Sequence, residues 1–154
     1  MVVLLAHPFI SRALDNELRA EAPALPMVAV AYADITMEAK VAALKDEVVD
    51  DLARKCETKD VAEPDAAMIL DTNNQMSVGA WMFQVKTVQH YVKVLEGRDI
   101  SRVEAIRIAI DHDQARTLAK RIIFEEQGGI FNWANCADRL DLAPEIEVIK
   151  KLEQ

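Results

Sequence analysis

Residues 36–57 read TMEAKVAALKDEVVDDLARKCE and have the spacing of an amphipathic helix. Apolar side chains recur every three or four positions while charged side chains fill the other faces, and the apolar set is Val41, Leu44, Val48 and Leu52. Thr36 can cap the first turn, because its hydroxyl oxygen can accept a hydrogen bond from a free backbone N–H group. The pattern therefore predicts a helix from Thr36 to about Cys56.

The chain after this helix is typical of an all-α domain. Ser77 is a candidate cap for a second helix that runs to about Leu95 and stops at Gly97. Ser101, with Glu104 three positions later, has the form of a capping box and predicts a short helix over the next ten residues or so. Three further helices are predicted at residues 113–127, 131–140 and 144–152, the last with Pro144 in its first turn.

Residues 58–76 lie between the first two predicted helices and lack periodicity. They contain Pro64, four acidic side chains and the polar run Thr72–Gln75, so a long loop is predicted here. Glu57 stands directly before this loop, where the partial negative charge of a helix end raises the pKa of a carboxyl group. A raised pKa is what a general acid near neutral pH requires.

The composition disfavours two classes of partner. The chain has 154 residues, with 26 acidic and 18 basic side chains and a formal net charge of -8, whereas binding to nucleic acids or anionic membranes depends on lysine and arginine. No apolar run reaches the roughly 18 residues that a membrane span needs. The two cysteines also lack the closely spaced Cys or His partners of a zinc site. We expect one helical domain that uses no metal ion and no cofactor.

The negative charge is concentrated in one segment of the chain. Residues 34–71 carry 11 acidic and 5 basic side chains, and this segment contains Glu57. Repulsion between like charges would raise the pKa of Glu57 further. We therefore expect any activity of Glu57 as an acid to have its optimum on the acid side of neutrality.

Residues 1–33 form an N-terminal extension before a domain that spans residues 34–154. The extension has two apolar stretches, Met1–Ala6 and Pro26–Ala33, and the small residues near position 33 resemble a signal-peptidase site. The segment between them is acidic where a leader peptide is basic. Two interpretations remain open, the remnant of a leader peptide or a helix followed by a proline-containing connector.

Three segments, in this order, resemble the lysozyme-like superfamily, and in particular the soluble lytic transglycosylases and related peptidoglycan-cleaving domains of bacteria and phages. Cys56 and Glu57 at a helix end are similar to the catalytic segment of forms in which a cysteine precedes the glutamate. The stretch Ser77–Phe83, with Thr87 beyond it, is similar to the motif Ser-x-Gly-x-x-Gln-aromatic-x-x-x-Thr. Residues 128–136, GGIFNWANC, are similar to a glycine-rich turn that leads into a helix with Trp and Asn.

This resemblance implies a lysozyme-like fold, with a long loop between the first two core helices, that acts on the glycan strand of peptidoglycan. Glu57 would protonate the glycosidic oxygen between N-acetylmuramic acid and N-acetylglucosamine, and in lytic members the same group then helps to form an anhydro product. A hydrolytic member would need a second carboxylate, for which Asp71 is the first candidate and Asp65 the second. The implied substrate-binding residues are Ser77, Gly79, Trp81, Met82, Phe83, Trp133 and Asn135.

The resemblance also implies where the protein acts. We expect an exported or cell-wall-associated protein, in the periplasm, outside the cell or in a phage lysis system. In such a compartment a disulfide between Cys56 and Cys136 would tie the acid-bearing helix to the last motif. Two buried thiols are the alternative.

Two positions depart from the family pattern. Met82 stands where the family has a glutamine that can form hydrogen bonds, and Gln84 would point elsewhere on a helix. Ala134 stands where lytic members commonly have tyrosine. One alternative function is therefore a catalytically impaired domain that binds wall glycan or a wall protein. Another is a small helical adaptor in which the matches are coincidental, Ser77 is a helix cap, and the core contains Trp81, Phe83 and Trp133.

Overall fold

A computed structural model describes residues 36–154, where the fold is mainly helical with one small antiparallel sheet. The two interpretations of residues 1–33 lie outside these residues. Six α-helices are present in the part described, and each is stabilised by packing its apolar face into a shared core. None of these helices has the length and apolar character that crossing a membrane requires.

The first helix, α1, spans Met37–Asp51 and begins as predicted. The Thr36 hydroxyl accepts a hydrogen bond from the backbone N–H of Ala39 at 3.2 Å, which satisfies one of the free donors of the first turn. The helix continues without a break as a π-helical segment, Leu52–Glu57. The predicted helix to about Cys56 is therefore confirmed, and its last residue is Glu57.

The prediction of a structureless loop followed by a helix from Ser77 is wrong. A short 3-10 turn at Pro64–Ala66 leads into three antiparallel strands, β1 (Met68–Leu70), β2 (Met76–Val78) and β3 (Phe83–Gln84), in the order β1-β2-β3. The polar run between β1 and β2 is their turn, in which the Asn73 side chain accepts a hydrogen bond from the backbone of Gln75. Ser77 therefore lies in the middle of a strand and caps no helix.

The second helix ends where the sequence predicted but starts eight residues later, and the four helices after it lie close to their predicted positions. The second helix, α2, spans Val85–Glu96 and ends at Gly97, whose φ of 71° is the left-handed conformation of a helix C-cap. The others are α3 (Arg102–Ile110), α4 (His112–Glu125), α5 (Ala134–Leu140) and α6 (Leu142–Leu152), with a 3-10 turn at Gly129–Trp133 before α5. Ser101 caps α3 by accepting from the backbone of Glu104 at 3.1 Å.

The turn between β2 and β3 is fixed in the core by two tryptophans. The indole N–H of Trp81 donates to the carbonyl of Val49 in α1 at 2.9 Å, and the indole N–H of Trp133 donates to the carbonyl of Trp81 at 2.7 Å. Gly79 has a φ of 77°, and a Cβ there would lie 1.8 Å from the carbonyl oxygen of Ala109 in α3. The β2–β3 turn is thus packed against α1 and α3, and its contact with α3 leaves no room for a side chain at position 79.

Candidate active site

A cavity of about 430 Å³ lies where the end of α1, the sheet, α2 and the 3-10 turn before α5 meet. It contains both predicted carboxylates together with several of the other predicted site residues. A larger groove of about 580 Å³ lies elsewhere, between the start of α1 and the ends of α4 and α6. None of the predicted site residues is in its lining. The lining of the smaller cavity is Glu57, Ile69, Asp71, Ser77, Met82, Phe83, Gln84, Thr87, Asn132 and Trp133.

Glu57 is half-buried at the end of the π-helical segment. The next residue, Thr58, is buried and its hydroxyl donates to the carbonyls of Ala53 and Ala80, so the helix end is joined to the β2–β3 turn. Burial raises the pKa of Glu57 to about 7, and repulsion from Asp71 adds to the rise, while Arg139 opposes it. The direction agrees with the sequence prediction, but the main cause is desolvation and not the helix terminus.

The acidic segment contributes less to the pKa of Glu57 than its charge suggests. Two carboxylates of α1 form ion pairs with α4: Arg116 donates to Asp50 at 2.7 Å, and Lys120 pairs with Asp46. Of the acidic residues in this segment, Asp71 is the one whose charge acts on Glu57. The expected repulsion is therefore exerted by one neighbour within the cavity.

Cys56 and Cys136 form a disulfide, so the first of the two alternatives for the cysteines is the one present. The bridge joins the π-helical segment to α5 across 80 residues of sequence. A carboxylate oxygen of Glu57 lies within 4.8 Å of both sulfur atoms. The disulfide is thus part of the immediate surroundings of the candidate acid.

Asp71 follows β1 and is held by donors from both other strands. The Ser77 hydroxyl and the Gln84 amide, the latter at 3.1 Å, both donate to Oδ2 of Asp71. Ser77 and Gln84 lie opposite each other in the β2–β3 register, which explains why both reach the same atom. Because both donors use Oδ2, neither of them occupies the other carboxylate oxygen, Oδ1.

Gln84 is a site residue that the sequence prediction missed. A helix starting at Ser77 would direct Gln84 away from the site, but residues 83 and 84 form a strand and bring the amide to Asp71. Met82, at the position of the family's glutamine, lines the same cavity and has a φ of 49°, an uncommon conformation for a residue other than glycine. A glutamine amide therefore lies in the cavity two positions after Met82.

The third motif reaches the cavity through Asn132 and Trp133. The side-chain amide of Asn132 donates to the hydroxyl of Tyr91 at 2.8 Å and to the carbonyl of Gly129 at 2.7 Å. Trp133 packs its ring edge-on to Phe83 at a centroid distance of 5.4 Å. Asn135, the predicted contact, is exposed on the first turn of α5 and is not part of the cavity lining.

Two other predicted substrate contacts lie outside the cavity. Trp81 is 1% exposed and packs near His112, which pairs with Asp65, and none of these three residues lines the cavity. Gly79 approaches the backbone of α3, so the space that glycine leaves is filled by a helix and not by a ligand. Asp65, the second candidate for the additional carboxylate, is likewise not in the cavity lining.

The site is an open polar cavity that contains a carboxyl group of raised pKa, a second carboxyl group held by two hydrogen bonds, two side-chain amides and two largely buried aromatic rings. No protein-family model, curated protein or solved structure matches the chain. What the protein does must therefore be argued from the chemistry of this cavity.

Proposed function

We propose that this protein is a glycosidase of lysozyme-like fold that cleaves the glycan strand of peptidoglycan with Glu57 as its general acid. One observation carries the proposal: Glu57, with its pKa raised to about 7, opens into the same cavity as the hydrogen-bonded Asp71. A carboxyl group that keeps its proton near neutral pH beside a second carboxyl group is the arrangement that glycoside hydrolysis uses.

The lining of the cavity suits a sugar. Its volume of about 430 Å³ falls within the usual range of ligand pockets, roughly 300–1,000 Å³. Phe83 and Trp133 supply an apolar base to the cavity, but they are only 2% and 5% exposed and belong to the core, so they offer no open ring face to a sugar. The amide nitrogens of Gln84 and Asn132 donate within the protein, so it is their amide oxygens that we expect to accept hydrogen bonds from hydroxyl and N-acetyl N–H groups of the sugar.

The two carboxyl groups would divide the reaction between them. Glu57 gives its proton to the glycosidic oxygen as the bond from that oxygen to the anomeric carbon breaks. A water molecule that donates a hydrogen bond to the free oxygen of Asp71, Oδ1, attacks the anomeric carbon and passes a proton to Asp71. Both groups then exchange protons with solvent. The hydrogen bonds from Ser77 and Gln84 hold Asp71 in one position, which suits a hydrolytic course in which a second carboxylate orients the attacking water.

Clearance of purified peptidoglycan suspensions tests this function. The wild type should clear the suspension, and Glu57→Gln should reduce the rate by about 100-fold or more while circular dichroism stays unchanged. Glu147→Gln, an exposed position on α6, is the matched control and should clear normally. Mass spectrometry of the released fragments should show the mass of one added water. Clearance that survives Glu57→Gln contradicts the proposal.

The second candidate is a wall-binding domain without activity. It is favoured by the position of Asn135 outside the cavity and by Met82 and Ala134, where the family's polar groups are missing. In that case the protein would sediment with peptidoglycan sacculi but would not clear them. The disulfide supports an exported location for either candidate, because such bonds persist in oxidising compartments.

A further inference from the structure

The disulfide and the candidate acid are neighbours both in sequence and in space. Cys56 directly precedes Glu57 in the π-helical segment, and both sulfur atoms lie within 4.8 Å of a carboxylate oxygen of Glu57. Cys136 is 6% exposed on α5 and Cys56 is half-buried, so the bridge lies beside Glu57 behind the cavity lining and contributes to the burial of its carboxyl group. An apolar sulfur wall provides no hydrogen bond strong enough to stabilise a carboxylate.

The other charged groups that act on Glu57 come from two elements. Asp71, at the end of β1, repels the ionised form, whereas Arg139, one turn after Cys136 on α5, attracts it. Ser77 and Gln84 donate to Asp71 and are therefore engaged elsewhere. If α5 moves away, these effects oppose each other: Glu57 gains contact with water, which lowers its pKa, and loses Arg139, which raises it. Burial is the largest of the causes and Arg139 the smallest, so the net change is a fall in the pKa.

We propose that the Cys56–Cys136 disulfide is a positioning element that keeps Glu57 in its protonated, proton-donating form, so that the site depends on the redox state of this bridge. The proposal rests on the function proposed above. In the bridged protein α5 is held against the end of the π-helical segment and limits the contact of water with Glu57 to the side that faces the cavity. In the reduced protein the two segments are free to separate, water reaches the carboxyl group, and Glu57 ionises at lower pH.

The reductant is a dithiol, either a small molecule or a dithiol protein. One of its thiolates attacks a sulfur of the bridge, the S–S bond breaks, and a mixed disulfide forms. Its second thiolate then displaces the remaining protein sulfur. The dithiol is oxidised to a disulfide, and the protein gains two electrons and two protons as the thiols of Cys56 and Cys136. No other group needs to change oxidation state.

Carbon-13 NMR of the Glu57 carboxyl group, assigned with Glu57→Gln, measures its titration midpoint directly. In the oxidised wild type the Glu57 carboxyl group should titrate with a midpoint of about 7. The midpoint should fall by about one pH unit or more in protein reduced with dithiothreitol and in the double variant Cys56→Ala/Cys136→Ala. Val92→Ala, a core truncation in α2 that leaves the bridge intact, is the control for lost stability and should keep the wild-type midpoint.

The outcomes separate this proposal from the proposed function. An unchanged midpoint in the reduced protein and in the double variant overturns it, as does an equal shift in Val92→Ala. Loss of fold in both bridge-free forms, judged by circular dichroism, also overturns it, because the bridge would then act on stability alone. If no form clears peptidoglycan, the proposed function fails while the NMR comparison still decides the role of the bridge.

Discussion

Replacing Glu57 by glutamine should stabilise the protein at alkaline pH while it removes the candidate acid. The pKa of Glu57 rises from 4.5 to about 7 on folding, so the folded protein binds this proton more tightly than the unfolded chain does. The stabilising contribution of the bound proton is complete below pH 4.5 and is lost as the pH rises to 7. Above that pH the folded state contains a poorly solvated carboxylate, which glutamine does not form.

The size of the effect follows from the pKa difference. A difference of about 2.5 pH units corresponds to about 3.4 kcal/mol, at about 1.36 kcal/mol for each pH unit. Glu57 is only half-buried, so solvent screening reduces this to about 1–2 kcal/mol. We therefore expect Glu57→Gln to unfold at higher urea concentration than the wild type at pH 8, and at nearly the same concentration at pH 4.

Urea titrations at several pH values between 4 and 8.5 measure this difference. At each pH the free energy of unfolding of the wild type is subtracted from that of Glu57→Gln. Only the change of this difference with pH matters, because any effect of the amide that does not depend on pH adds the same amount at every pH. Glu147→Gln, on the exposed face of α6, should give a difference that does not vary with pH. A flat difference for Glu57→Gln over the whole range would refute the argument that burial of Glu57 raises its pKa.

Four further results are expected. Arg139→Gln should raise the pKa of Glu57 and move the alkaline limb of the clearance rate to higher pH, since Arg139 favours the ionised form; an unmoved limb would mean that its charge does not reach Glu57. Reduction of the disulfide, which closes an 80-residue separation, should lower the free energy of unfolding by about 4–5 kcal/mol in urea titrations. Gly79→Ala should lower the free energy of unfolding, measured by thermal melts, by about 3 kcal/mol or more, because the added Cβ would lie 1.8 Å from a backbone oxygen. Gly97→Ala is the control: its φ is also positive but the space around it is open, so it should lower the free energy of unfolding by about 1 kcal/mol. Gln84→Leu should slow clearance by about 10-fold or more with little loss of stability, because Asp71 loses one of its two side-chain donors.

The helices could be predicted because their signals are local. The caps at Thr36 and Ser101 and the stop at Gly97 each lie within a few residues of the helix they delimit, and all three have the expected roles. The capping box at Ser101 is only half formed, because the Glu104 side chain pairs with Arg98. The sheet left no such signal. Its strands are two or three residues long, too short for alternation to be visible, and β2 begins at a serine-containing stretch that also fits a helix start.

Long-range pairing explains why the charge of the acidic segment was misleading. Asp46 and Asp50 find their cationic partners in α4, 74 and 66 residues further along the chain. A count of charges along the sequence cannot include such pairs, because they exist only once α1 and α4 are packed together. The carboxylate that does act on Glu57 is Asp71, 14 positions further along the chain. It is brought next to Glu57 by the sheet, which the sequence analysis did not predict.

The sequence predicted a helix where β2 and β3 lie, and the same wrong prediction explains why Met82 was interpreted as a missing hydrogen-bonding group. If residues 77–95 were one helix, position 82 would be the place for a glutamine, and its absence would argue for an impaired site. In the β2–β3 hairpin, Met82 instead occupies a left-handed turn position, with a φ of 49°, whereas Gln84 stands opposite Ser77 and reaches Asp71. The hairpin therefore brings a glutamine amide into the cavity from position 84, and the absence of glutamine at position 82 does not leave the cavity without an amide. An argument for an impaired site that rests on Met82 depends on a helix that the chain does not form.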